Sequence, residues 1–298
     1  MYSCLQKFAT LFVNARSYDT TESTWWLLAK TCPLLVSVKL CTDLSERQAK
    51  NFLAELVPLK HLVSIEIHSA CLPAVLWYFE RAGTQLRNIA LYSYGGYSRN
   101  FVFSDAVLAK ISYCCPQLAA LRLHFDYFQA GGFDSTNQDA ISSPIFPNLE
   151  YMSGQFVSIT ITSLIYLLSP KNLKSVEIGI LEPFHADDYA ELLKAPFFKS
   201  VVSFISESKF FSNVNDLERL LFAAPKLKYV SYKFPNGRDD VYIDELVKKN
   251  NWDLGELYHN NELCLLPSCQ YETSDADSLH YCMFKRRKLE KLIGYHLT

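Results

Sequence analysis

Residues 103–125 read FSDAVLAKISYCCPQLAALRLHF, and the two halves of this stretch have different periods. Val107, Leu108, Ile111 and Tyr113 recur at helical spacing, behind a Ser104-Asp105 pair suited to cap a helix start. Pro116 lacks the N–H that a continuing helix would need. Leu118, Leu121 and Leu123 follow in the order L-x-x-L-x-L, the last two alternating as in a strand. A unit made of a helix, a proline and one short strand cannot bury its own apolar face, so the stretch predicts neighbours of the same kind.

The neighbours are found by searching for apolar residues at positions 1, 4 and 6 of a strand. Clear cases are Leu35-Val38-Leu40, Leu62-Ile65-Ile67, Leu86-Ile89-Leu91, Leu118-Leu121-Leu123, Leu173-Val176-Ile178 and Leu227-Val230-Tyr232. Weaker ones are Phe8-Leu11-Val13, Leu149-Met152-Gly154, Val201-Phe204-Ser206 and Leu254-Leu257-His259. The steps between their first residues are 27, 27, 24, 32, 31, 24, 28, 26 and 27. Such spacing is that of leucine-rich repeats, whose units run to about 20–29 residues, so the two longest steps imply insertions. The expected fold is α/β: a leucine-rich-repeat solenoid with a parallel concave sheet and convex helices, its apolar leucines opening each strand. Residues 1–258 form a single domain of about nine to ten repeats, because a repeat array shares one continuous core. Residues 259–298 form a polar tail, with 279–297 read as a helical cap.

The phrase before the strands also recurs: TCPLL at Thr31, CCPQL at Cys114, FPNLE at Phe146, SPKNL at Ser169 and APKLK at Ala224. The whole unit, S-D-x-x-L-x-x-I-x-x-x-C-P-x-L-x-x-L-x-L, resembles the helix-rich repeats of F-box leucine-rich-repeat proteins, of the ribonuclease-inhibitor-like class. The resemblance runs from about Phe8 to Tyr258. It implies a protein-binding module, with substrate recognition in a cullin-type ubiquitin ligase as the function. It implies a ligase adaptor as a partner only if an F-box lies upstream of Met1. A stand-alone scaffold or enzyme inhibitor without any ligase role is the alternative. The chain departs from the family at position 9, where Asn or Cys usually bonds the turn. Here that position holds Asp43, Ala70, Tyr94, Asp126, Val157, Leu181, Lys209 and Pro235, so irregular strand-to-loop turns are expected. Only seven residues precede Phe8, so the apolar N-terminal edge is expected to need a cover from elsewhere.

Composition narrows the function classes. A formal charge of −2 gives no electrostatic case for nucleic acid or an anionic membrane. No apolar run is long enough to span a bilayer, and Lys7 interrupts the N-terminal apolar stretch that a signal peptide would need. Nine cysteines, an odd number, are read as reduced thiols of a cytoplasmic or nuclear protein, with Cys32, Cys114 and Cys115 packed at helix ends. The cluster Lys285-Arg286-Arg287-Lys288 is read as a solvated helix face. Cys264, Cys269, His280 and Cys282 are of the right types for zinc, but their spacing is not a usual one. No metal and no cofactor is therefore expected. The sequence has no nucleophile elbow, phosphate loop, H-E-x-x-H or dinucleotide fingerprint, so the chain is read as no enzyme.

What remains is a surface. Positions 3, 5 and 7 of each strand point away from the core. Position 3 is mostly small and polar (Ser37, Ser64, Asn88, Ala120, Tyr151, Ser175, Ser203, Tyr229), which should let a partner backbone approach. Position 5 carries Lys39, Glu66, Ala90, Arg122, Ser153, Glu177, Ile205 and Ser231. Position 7 carries Cys41, His68, Tyr92, His124, Gln155, Gly179, Glu207 and Lys233. The predicted protein-binding residues are His68, Tyr92, Arg122, His124, Tyr151 and Gln155, because Tyr and Arg dominate hot spots. The insertions after Leu91 and Leu123 carry Gly95-Gly96 and Gly131-Gly132 and many aromatics, so the loops 92–103 and 124–133 are predicted to flank the same partner. Replacing Tyr92 and Arg122 together by Ala is expected to weaken binding with little loss of stability.

Overall fold

The L-x-x-L-x-L spacing predicts which side of each strand is buried, and the computed structural model places those residues there. It describes residues 10–14, 28–41, 44–68, 71–93, 105–125, 146–156, 159, 161–180, 186–206, 214–232 and 256–259. Ten strands pair in chain order, every neighbouring pair parallel: β1 (Thr10–Asn14), β2 (Ser37–Cys41), β3 (Ser64–His68), β4 (Asn88–Ser93), β5 (Ala120–Phe125), β6 (Tyr151–Phe156), β7 (Ser175–Ile180), β8 (Ser203–Ser206), β9 (Tyr229–Tyr232) and β10 (Glu256–His259). These are the ten stretches the repeat search found, weak ones included. Strands that are parallel and adjacent need a crossover, here helical in most units. The helices are α1 (Leu28–Thr31), α2 (Glu46–Leu56), α3 (Leu72–Ala82), α4 (Asp105–Cys114), α5 (Ile161–Leu167), α6 (Ala186–Leu192) and α7 (Val214–Ala223). The fold is an α/β leucine-rich-repeat solenoid.

Position-4 and position-6 residues such as Ile65, Ile67, Leu121 and Leu123 share one core with Phe52 and Leu53 of α2, Val75 and Phe79 of α3, and Leu108 and Ile111 of α4. The helices therefore cover one face of the sheet, and positions 3, 5 and 7 lie on the other. Helix α2 shows why the boundaries fall where they do. Ser45 accepts a bond from the Gln48 N–H while the Gln48 side chain accepts one from the Ser45 N–H, a capping box that starts the helix. Helix α4 corrects one expectation. Its buried face is Leu108, Ile111 and Cys114, with Cys115 buried just past its end, while Tyr113 is 88% exposed. Tyr113 lies two residues past Ile111, and at 100° per residue that turns it away from the sheet.

Two kinds of hydrogen bond fix one unit on the next. The position-2 carbonyls of Val36, Val63, Arg87, Ala119, Glu150 and Lys174 each accept the N–H groups of positions 2 and 3 in the following unit, at 2.7–3.1 Å. Just before the strands, Gln85 donates to the Leu59 carbonyl (2.8 Å), Asn148 to that of Pro116 (2.9 Å) and Asn172 to that of Pro147 (3.3 Å). In these three units the amide sits one residue ahead of the first apolar position, outside the L-x-x-L-x-L pattern. The position-9 residues lie outside the described residues.

Packing between units leaves little slack. A Cβ on Gly83 would come within 2.7 Å of the Cys114 carbonyl oxygen and 2.8 Å of the Cys115 sulfur, so only glycine fits there. At Gly154 the core position has no side chain of its own, and the buried Phe156 ring occupies that space instead. Phe146 has φ of 52°, a left-handed conformation that strains a bulky residue. Its ring is buried and its N–H donates to Ser112 Oγ at 2.8 Å, which together hold it there. Several sequence expectations fall outside the described residues: Phe8 at the N-terminal edge, the inserted loops beyond Ser93 and Phe125, and the tail with its Cys264, Cys269, His280 and Cys282 and the basic cluster at 285–288.

Candidate functional site

Register alone aligns the position-7 stripe. His68 pairs with Tyr92, Tyr92 with His124, and His124 with Gln155, across β3 to β6. Parallel neighbours lie about 4.8 Å apart, close to the distance at which rings stack. His68 and Tyr92 are stacked with centroids 4.4 Å apart and planes 13° from parallel. Tyr92 and His124 follow at 5.0 Å and 27°. One phenol ring is thus held between two imidazoles.

Both ends of this column are tied down by hydrogen bonds. His68 Nε2 lies 2.7 Å from Glu66 Oε1, and Lys39 Nζ reaches the same oxygen at 2.7 Å. At the other end His124 Nε2 is 3.0 Å from Ser153 Oγ. A continuous line, Lys39–Glu66–His68–Tyr92–His124–Ser153, crosses five strands. A second line runs beside it. The Arg122 guanidinium lies over the Tyr151 ring at 5.1 Å, and the Tyr151 hydroxyl donates to Glu177 Oε2 at 2.7 Å. Gln155 is exposed at the edge of the stripe.

Glu66 shows the electrostatics of the face. Burial pushes its carboxyl up, but the hydrogen bonds from His68 and Lys39, with their charges, outweigh this and bring it down to about 2. A depressed folded value means that the ionised carboxylate stabilises the fold above the unfolded value of about 4.3, and that this is lost as pH falls towards 2. Glu66 is expected to contribute on the order of 2–3 kcal/mol at pH 6 and about half of that at pH 3. Urea unfolding of the wild type and Glu66→Gln at both pH values measures it. A difference between the two proteins that is as large at pH 3 as at pH 6 refutes it.

The six predicted residues come together on one face, but not with the exposure expected of them. Tyr92 is only 6% and Tyr151 only 8% exposed. Tyr92 is shielded by its two imidazole neighbours, and Tyr151 lies under the Arg122 guanidinium. The open floor of small residues is also confined to one end. Ser37, Ser64 and Asn88 are partly accessible, whereas Ala120, Ser175 and Ser203 are at most 5% exposed, and Ser153 of the position-5 row is fully buried. Ser153 is flanked in register by the longer Arg122 and Glu177, which explains its burial. Two supports of the site went unpredicted, Ser153 and Glu177. The signal was present in the position-5 row, where Lys39 meets Glu66 in register and Arg122 lies two strands from Glu177. Among the described residues no group of three or more His, Cys, Asp or Glu is placed to hold a metal ion. No helix among them is long and apolar enough to cross a membrane.

No family model matches the chain, and no curated protein is significantly similar to it. Solved structures with a related course of the chain include internalin C2 from Listeria monocytogenes, 13% identical over 72% of this chain and 84% of that one, with a TM-score of 0.39. An internalin, inlF, from the same bacterium is 14% identical over 87% of this chain and 76% of that one, with a TM-score of 0.41. A chain of the Rad7 and Elc1 complex from yeast is 16% identical over 92% of this chain and 83% of that one, with a TM-score of 0.37. The fold assignment rests on the ten parallel strands and the single core described above, not on these likenesses.

Proposed function

We propose that the chain is a protein-recognition module whose partner contacts the helix-free face of the sheet over β3 to β6. The observation that carries this reading is the ordered double line of polar and aromatic side chains on that face. Side chains already held by stacks and hydrogen bonds lose little entropy when a partner docks, and such preorganisation favours affinity. Arg122 and Gln155 are the accessible members on which the partner is read to bear, with His68, His124 and the two buried tyrosines holding their surroundings in place. The loops that follow β4 and β5 leave from the same edge and are read as flanking contacts. The chain is read as non-catalytic, as binding neither nucleic acid nor membrane, and as cytoplasmic or nuclear. Support for the compartment comes from free thiols at Cys32, Cys114 and Cys115 inside the core.

The finer reading is substrate recognition in a cullin-type ubiquitin ligase, in the ribonuclease-inhibitor-like subclass. It rests on the resemblance of the C-P-x-L phrase and the helix-rich unit to F-box leucine-rich-repeat proteins. The test is differential capture from cell extract at one pH. Arg122→Ala with Gln155→Ala is expected to weaken capture of a specific partner by about thirtyfold, roughly 2 kcal/mol. The control pair, Glu191→Ala with Lys194→Ala on α6, is expected to change nothing. Equal loss from both pairs, or loss from the control alone, overturns the placement.

A further inference from the structure

We propose that the edge where β7, β8 and β9 begin is a second docking surface, and that it takes an extended, acidic segment of a protein partner. This edge lies apart from the face over β3 to β6, and the inference does not depend on the reading of that face. Lys171 and Lys174 stand ahead of β7, Lys199 ahead of β8, and Lys226 and Lys228 ahead of β9. All five are exposed.

The backbone gathers them. The Lys174 carbonyl accepts from the Val202 N–H, and the Val202 carbonyl from that of Lys228, so the two lysines hold equivalent places two strands apart. Lys171 and Lys226 each follow a proline in the turn that leads into a strand. Lys199 closes the short turn Pro196–Lys199 ahead of β8. With neighbouring strands about 4.8 Å apart, the backbones that carry the five lysines span roughly 10 Å.

Little negative charge answers them. Lys174 Nζ meets Glu150 Oε2 at 3.0 Å, an exposed pair of the kind that contributes little. Lys194, at the end of α6, is balanced by Glu191. Among the described residues, none of Lys171, Lys199, Lys226 and Lys228 meets a carboxylate. Glu177 and Glu256 belong to the helix-free face, at positions 5 and 3 of their strands, and Asp253 lies outside the described residues. The described part of this edge thus holds five ammonium groups against one carboxylate. Helices α5, α6 and α7 end here, but each C-terminus carries at most about half a negative charge, too little to offset a surplus of four.

Screening and length select the occupant. At physiological salt a charge is felt over about 8 Å. A segment lying on the edge therefore meets the lysines, whereas a large polyanion approaching from afar meets a chain of formal charge −2. An extended peptide advances about 3.3 Å per residue, so three or four acidic residues cover the three strands. A turn of duplex DNA is about 34 Å long and far exceeds the strip.

The probe is a fluorescein-labelled hexaglutamate peptide, titrated with the full chain at pH 7.5 and about 0.1 M salt. Lys199→Glu with Lys226→Glu is expected to weaken binding about tenfold. Arg47→Glu with Lys110→Glu, on α2 and α4, makes the same change in net charge and is expected to weaken it less than about threefold. Equal losses from the two pairs, no loss from Lys199→Glu with Lys226→Glu, or no binding by the wild type overturns the proposal. Carbodiimide coupling of the same peptide to the wild type, followed by peptide mapping, locates the contact without any variant. The peptide is expected on the five lysines of the edge, and recovery only elsewhere, as on Lys285 or Lys288, overturns the proposal. Hexathymidylate, of similar charge, is titrated in parallel. Should it bind more tightly than the peptide and lose that binding with Lys199→Glu and Lys226→Glu, the edge belongs to nucleic acid and the proposal fails. None of these outcomes bears on the capture experiment with Arg122 and Gln155.

Discussion

Replacing Leu121 by Ala is expected to lower the stability of the fold by about 3–5 kcal/mol, the upper part of the range for a large-to-small core change. Leu121 is fully buried at position 4 of β5. Its register partners are Ile89 and Met152, both at most 1% exposed, and Leu108 and Ile111 of α4 belong to the same core. The neighbouring backbones are held by the two-way acceptance at each position-2 carbonyl, so the site has little freedom to collapse around the missing atoms. The larger cavity term therefore applies. Urea unfolding measures the loss, and Leu34→Ala, at a residue 53% exposed, serves as the control with an expected change within about 0.5 kcal/mol. A loss below about 1 kcal/mol at Leu121 contradicts the packing described.

The second large effect is expected at Tyr92. Its truncation to Ala should cost about 2–4 kcal/mol, since it removes a buried ring and both of its stacking contacts at once. Reading the sequence alone suggested little loss of stability there, because position 7 points away from the helices. The structure reverses that expectation, since imidazoles on both sides make the phenol part of a packed column. Tyr92→Phe keeps both stacks and is expected to stay within about 1 kcal/mol of the wild type. Thermal and urea unfolding of the two variants decide the matter. An alanine variant as stable as the phenylalanine one would show that the stacks contribute nothing.

Strand positions were legible because their signal is periodic. Even Leu149-Met152-Gly154, with a glycine in a core slot, keeps its register, since Phe156 on the same strand fills the space. The same arithmetic brought His68, Tyr92, His124 and Gln155 into one row. It could not give the depth of that row. Burial on a sheet face depends on which neighbours lean over a residue, and period 2 records only direction. Nor did the leucine spacing show the Gln85, Asn148 and Asn172 ladder, because those amides lie one residue ahead of the strand motif and act on the preceding unit. The close approach at Gly83 joins two units whose contacting residues are some thirty positions apart. Only the stacking of units brings Cys114 and Cys115 against it.

The sheet remains in register through β4, β5 and β6 although the steps leading into β5 and β6 are 32 and 31 residues instead of the 24–28 seen elsewhere. For a flexible connection, lengthening from 27 to 32 residues raises the closure entropy by roughly 0.1–0.2 kcal/mol, since the dependence is only logarithmic. That is far below the cost of a single lost methylene in the core. Variation in the length of these connections is therefore almost neutral for folding. The connections into β5 and β6 are places where the chain can lengthen or shorten without giving up the parallel register that the strands on either side keep.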